Sequence, residues 1–125
     1  VARGAAAEGE KDGVTGNALW PATIVESLAS ENFELGSRDN WRKADILADC
    51  VVELCCDAHT TGQTLIDDEY LQTRGAKFPE DFVKYRCNPD VEPKRLLAPG
   101  SESAGWDVRR GDVKKLSKDK ARSRL

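Results

Sequence analysis

Thiols and imidazoles are the side chains best suited to hold a metal or attack an electrophile. This chain has four cysteines, Cys50, Cys55, Cys56 and Cys87, and a single histidine, His59. No Cys-x-x-Cys pair occurs among them, and His59 stands at no ligand spacing from any of the four. Two or three of them read instead as small hydrophobes on the apolar face of a helix, and buried reduced cysteines suit a reducing compartment. Phosphate binding would call for a glycine-rich turn opening onto a helix N-terminus. Gly13-Val14-Thr15-Gly16 is too short, lacks a third glycine and precedes no suitable helical pattern. No residue is therefore assigned a catalytic or a metal-binding role.

The elements that would position any remaining chemistry alternate between strand and helix. Residues 1–12, rich in Ala, Gly and Glu, can close a helix that Gly13 breaks. Gly13 to Leu19 forms a moderately apolar run ending at Trp20-Pro21, a buried strand weakened by its two glycines. Thr23-Ile24-Val25-Glu26 fits a capping box for a short helix with Ile24, Val25 and Leu28 on its apolar side. Residues 29–40 have the composition of a loop, interrupted by Phe33 and Leu35. Trp41 to Ala58 carries the strongest helical pattern, with Asp39 or Asn40 as its cap. Its apolar stripe is wide, taking in Val52 and Cys56 as well as Ile46, Cys50 and Leu54, and a stripe that wide buries more than one side. Thr61-Gly62 then turns the chain into a second strand, Gln63 to Asp67. Tyr70 to Glu92 reads as irregular and partly aromatic, punctuated by prolines.

At 125 residues, with 39% hydrophobic and 33% charged side chains, the composition is that of a globular domain. The net charge of −3 hides an asymmetry. From Val108 onward eight Lys and Arg face two Asp, a local +6 that leaves −9 on the remainder. Residues 98–125 lack apolar periodicity and are expected to form a disordered basic tail, separate from a domain over 1–97. The tail lacks the aromatics of a nucleic-acid module, and neither a nucleic-acid partner nor a membrane span is expected. Its last residues, Ser123-Arg124-Leu125, resemble the peroxisomal signal Ser-Lys-Leu with the charge retained. A peroxisomal location with an import receptor as partner is expected, the alternative being cytoplasmic. The chain begins at Val1 and contains no methionine, so it is expected to be part of a longer product.

Asn17-Ala18-Leu19-Trp20-Pro21-Ala22, then a long helix with Ala44-Asp45-Ile46-Leu47-Ala48-Asp49, then Thr61-Gly62-Gln63 and a strand ending at Asp67, carry a family likeness by their order and spacing. Over roughly Gly13 to Leu97 the chain resembles the C-terminal part of the short-chain dehydrogenase/reductase family. Leu19-Trp20-Pro21 and Ile66-Asp67-Asp68-Glu69-Tyr70-Leu71 look most like its hydroxysteroid dehydrogenase-like branch. The resemblance implies an α/β fold: the last two strands of a Rossmann-type doubly wound parallel sheet with their flanking helices. It implies that Pro21, Ala22, Thr23 and Ile24 line the nicotinamide end of a bound NADP or NAD, at the carboxyl end of a strand. Ala22 replaces the family's usual glycine, and the Thr23 side chain can equally serve as a helix cap. Phe33 and Leu35 either pack their loop onto the core or offer an apolar wall to a lipid-like substrate.

The same likeness exposes what is missing. The family's proton transfer needs a Tyr with a Lys four residues on, whose ammonium lowers the phenol's pKa. Tyr70 has Arg74 at that spacing but follows the last strand, and Tyr85 has Pro89. The chain is thus expected to be a catalytically incomplete portion of an NADP- or NAD-linked oxidoreductase acting on a hydroxy or keto substrate, with no firm cofactor binding by itself. The likeness further implies a homo-oligomer through the 41–58 helix and 63–67 strand. The alternative is a non-catalytic interaction module that binds a full-length partner.

Overall fold

The computed structural model describes residues 1–96; the expected basic tail and its Ser123-Arg124-Leu125 signal lie outside the described residues. Helix α1 (Ala2–Gly9) runs into a 3-10 turn (Glu10–Asp12) and stops at Gly13, whose φ of 71° is reached without strain only where no Cβ is present. Strands β1 (Ala18–Trp20) and β2 (Thr64–Ile66) pair in parallel, with Ala18 opposite Thr64 and Trp20 opposite Ile66. Parallel pairing requires a long crossover, and helices α2 (Leu28–Asn32) and α3 (Asp45–Cys56) lie on it. The result is a small α/β unit: a two-stranded parallel sheet with flanking helices.

Four elements differ from the sequence expectation. The first strand does not start at Gly13, because Gly16 is pressed onto α1: a Cβ there would stand 2.7 Å from the Ala2 carbonyl oxygen. The helix after Pro21 is capped not by Thr23 but by Ser27, whose Oγ accepts from the Ser30 amide at 3.1 Å. Ala22 and Thr23 form a bend instead, and the β-branched Val25 beyond it bridges Arg42 in parallel. That bridge also shortens the long helix. Arg42 gives its N–H to the Ile24 carbonyl at 2.9 Å, accepts from Glu26 at 2.8 Å and bridges Arg86 on its other side. Trp41 to Lys43 is therefore extended, and α3 begins at Asp45 with neither Asp39 nor Asn40 as its cap.

The fourth difference follows β2. The expected irregular segment opens with helix α4 (Asp67–Thr73), whose first turn holds Asp67, Asp68 and Glu69 against the positive end of the helix dipole. A 3-10 turn at Glu80–Tyr85 closes the core. Ile46 and Cys50 of α3 pack there on Tyr70 and Leu71 of α4 and on Phe82 and Tyr85. Phe82 lies between Phe78 and Tyr85, with ring centroids 5.6 and 6.0 Å away, tilted as aromatic pairs prefer. Only Cys50 among the α3 cysteines is buried; Cys55 and Cys56 are exposed, contrary to their reading as helix-face hydrophobes. No helix among the described residues is long and apolar enough to cross a membrane.

Candidate cofactor-side loop and its buried charge cluster

Two motifs separated by more than forty residues are stitched together by one side chain. Asn17 donates through Nδ2 to the Thr60 carbonyl at 2.8 Å and accepts through Oδ1 from the Gln63 amide at 3.1 Å. Next to it the Thr61 hydroxyl accepts from the Gly16 amide at 3.1 Å, and Gly62, at φ 68°, donates to the Gly16 carbonyl at 2.7 Å. These bonds set the register of β1 on β2, so both strands end at the same level. The loop Pro21–Ile24 leaves β1 and Asp67 starts a helix after β2, both at the same carboxyl edge of the sheet.

Within that loop the four candidate residues are not equivalent. Pro21 is exposed and Ile24 half-buried, whereas Ala22 and Thr23 are fully covered. The Thr23 hydroxyl donates to the Ile24 carbonyl at 3.3 Å. Ala22 is engaged at both backbone groups: its N–H goes to Asp67 Oδ1 at 3.0 Å, and its carbonyl accepts from the Leu96 amide at 2.7 Å. Ala22 is sealed from solvent.

Beneath the loop lies a cluster of buried charge that sequence reading did not find. Arg42, 1% exposed, pairs with Asp68 at 3.1 Å and with Glu92 at 3.2 Å. Arg95 joins the same Asp68 oxygen and also Glu69 at 2.9 Å, and Arg86 pairs with Glu92. The Arg42 guanidinium also stands 5.8 Å from the centre of the Phe82 ring, within cation–π range. Burying an ion is tolerable when its partner is buried with it, and here each Arg meets a carboxylate. Asp67 is different. Its Oδ1 takes the Ala22 and Asp68 amides, while Oδ2 meets no hydrogen-bond partner among the described residues. Burial pushes its carboxyl above the ordinary range, against the lowering effect of those two amides; the Asp68 charge adds to the rise and Arg42 opposes it. The signal that could have exposed this cluster is the Asp67-Asp68-Glu69 triplet directly after a buried strand.

Elsewhere the candidate chemistry is inert. Cys50 is pushed up to about 12 by burial and by Asp67, Asp49 and other nearby carboxylates, and its Sγ lies 3.4 Å from the Asp67 carbonyl. Burial and Asp57 raise the Tyr70 phenol, with Arg74 opposing; Arg74 itself is drawn to Glu53 at 3.3 Å. The Tyr70 and Arg74 pair is thus tuned away from proton transfer near neutrality. Tyr85 is likewise pushed up to about 12 by burial and by its 2.5 Å bond to Asp49. Among the described residues no group of three His, Cys, Asp or Glu could hold a metal. Phe33 is half exposed and does not pack its loop onto the core; Leu35 is partly buried, and its carbonyl accepts from the Trp41 indole at 3.0 Å.

No protein-family model matches the chain, and comparison with curated proteins gives no match. Solved structures do match. A dehydrogenase, so described, from Xanthomonas campestris is 30% identical with a TM-score of 0.65 over 82% of this chain. A short chain dehydrogenase from Mycobacterium thermoresistibile is 28% identical with a TM-score of 0.64 over 82%. The chain spans 36% and 39% of those two proteins. The two-stranded parallel sheet with its helices matches their Rossmann-like fold. Both likenesses support the short-chain dehydrogenase/reductase resemblance drawn from the motifs.

Proposed function

We propose that this chain is the C-terminal portion of an NADP- or NAD-linked short-chain oxidoreductase, and that it supplies the wall of the cofactor site made by Pro21–Ile24. The observation that carries the reading is the loop leaving the carboxyl end of β1 beside the Asp67 turn, in a fold shared with two dehydrogenases. Ligands of open α/β sheets bind outside the carboxyl ends of parallel strands. Pro21 and Ile24 are the members of the loop with accessible side chains, so they are the contacts offered here, with Thr23 contributing through its backbone. A half-exposed Phe33 favours the lid reading over core packing, and suits a hydroxy or keto substrate with a lipid- or steroid-like body. The finer likeness is to hydroxysteroid dehydrogenase-like protein 2, and NADP is the preferred cofactor of the reading.

The chain's own side chains do no hydride or proton transfer in this proposal. They orient the nicotinamide end, exclude water behind it and close the substrate side, while the glycine-rich turn and the Tyr-Lys pair would come from the remainder of such an enzyme. The test joins those residues to the chain. The joined protein should reduce or oxidise a dinucleotide where the 125 residues alone do not, and Ile24→Ala should raise KM for the dinucleotide more than it lowers kcat. An unchanged KM would remove the loop from the site. We further propose assembly through the outer face of α3, and peroxisomal delivery through Ser123-Arg124-Leu125. A tagged chain lacking those three residues should stay in the cytosol.

A further inference from the structure

Two adjacent carboxylates hold opposite sides of one loop residue. Asp67 Oδ1 receives the Ala22 N–H at 3.0 Å, with the Asp68 N–H at 2.6 Å completing its pair of donors. Asp68 receives Arg42 at 3.1 Å and also Arg95. Arg95 is followed by Leu96, whose N–H reaches the Ala22 carbonyl at 2.7 Å. Glu92, three residues before Arg95, is tied to the same Arg42 at 3.2 Å. Residues 92–96 therefore form a strap laid over the loop, fastened by ion pairs on one side and by a backbone bond on the other.

We propose that Asp67 is the positioning residue of the Pro21–Ile24 loop, and that the Asp68–Arg95 clasp completes the positioning by fastening the 92–96 strap over Ala22. The geometry has a consequence that general core stability lacks. The side-chain bonds described for Arg95 go to Asp68 and Glu69 rather than to the loop, yet loosening it should change the loop, because the Leu96 bond to Ala22 depends on where Arg95 is held. Likewise only the acceptor oxygen of Asp67, not its charge, is used at Ala22, so an amide oxygen in the same place should serve. The meaning of the loop as a cofactor wall rests on the reading above; its positioning does not.

Amide exchange and backbone chemical shifts of the isotope-labelled 125-residue chain test this with no dinucleotide present. Asp67→Ala should speed exchange at Ala22 by about tenfold or more, the scale of losing one hydrogen bond to a charged acceptor, and Asp67→Asn should restore it. Arg95→Gln, at a partly exposed position, should speed exchange at Leu96 and shift the Ala22 resonance while the amides of α3 hold. Should Asp67→Ala unfold the chain, Arg95→Gln and Asp67→Asn still decide. Unchanged Ala22 and Leu96 in Arg95→Gln, or an Ala22 amide as unprotected in Asp67→Asn as in a chain with no acceptor, would overturn the proposal. A joined enzyme that ignores Ile24→Ala would instead sink the cofactor reading and leave this one standing.

Discussion

The loop end of the sheet and the outer face of α3 are opposites. At the loop end, charged groups that prefer water are buried: Arg42, Asp67 and Asp68 are all sealed from solvent. On α3, side chains that prefer burial are exposed: Val51 and Val52 keep 51% and 62% of their surface, next to exposed Cys55 and Cys56. The difference lies in whether the chain supplies the partner. Arg42 finds Asp68 and Glu92 within its own fold, so the desolvation of Arg42 and Asp68 is offset locally. The valines find nothing within the described residues to cover them, which supports α3 as the face that meets a second surface.

The comparison breaks most visibly if one member of the buried pair is removed alone. Asp68→Ala leaves the buried Arg42 with only the partly exposed Glu92 opposite it, and should cost up to about 3–5 kcal/mol in denaturant unfolding. Replacing both, Arg42→Met with Asp68→Leu, should recover part of that loss because no uncompensated ion remains. A single variant within about 0.5 kcal/mol of the parent would mean the cluster is wetter than its geometry implies.

A smaller effect separates Asp67 from Asp68. The folded carboxyl of Asp67 is held above its unfolded value, so its contribution is fully present below the ordinary carboxylate value of about 4 and is lost as pH rises through the folded one. Asp67→Asn has no ionisation to lose. Its stability relative to the parent should therefore grow between pH 4 and pH 7, read as a rising difference in urea midpoints. Parallel curves across that range would show that the two amides on Oδ1 outweigh burial.

On the opposite face, Val51→Glu with Val52→Glu should change unfolding free energy by no more than about 0.5 kcal/mol per site, as exposed positions do. The same pair should split any assembly made through α3. A light-scattering mass that stays at the assembled value would leave the apolar face without its proposed role.

How far the sequence reached follows from the same contrast. The strands, the long helix and the turn at Gly62 were legible because their signals are local: apolar runs, a helical period and a glycine where φ is positive. Thr23-Ile24-Val25-Glu26 had a local signal too, yet it misled. A capping box and the β-branched Val25 share that stretch, and the long-range bridge from Val25 to Arg42 decided against the cap. The buried cluster was illegible for a related reason. Arg42 and Asp68 are 26 residues apart, Arg42 and Glu92 fifty, and nothing in the spacing of charged residues marks which will be buried together. Cys55 and Cys56 were misread, where Cys50 was not, because a wide apolar stripe does not reveal which part of it the chain itself will cover.

Those cysteines give the finest probe of the comparison. Cys50 is sealed in the core and held up to about 12 by burial first and by surrounding carboxylates after it, so at neutral pH almost none of it is thiolate, the reactive form. Cys55 and Cys56 lie on the face with Val51 and Val52, open to solvent in the single chain. Brief alkylation at neutral pH followed by peptide mass spectrometry should modify Cys55 and Cys56 and spare Cys50. Cys87, part-buried and raised by burial and by Glu26, should react more slowly than the exposed pair. The rates then report on assembly as well as burial. If α3 is the contact face, Cys55 and Cys56 should be protected at high protein concentration and regain full reactivity in the Val51→Glu, Val52→Glu variant, whereas equal labelling at every concentration would leave that face bare.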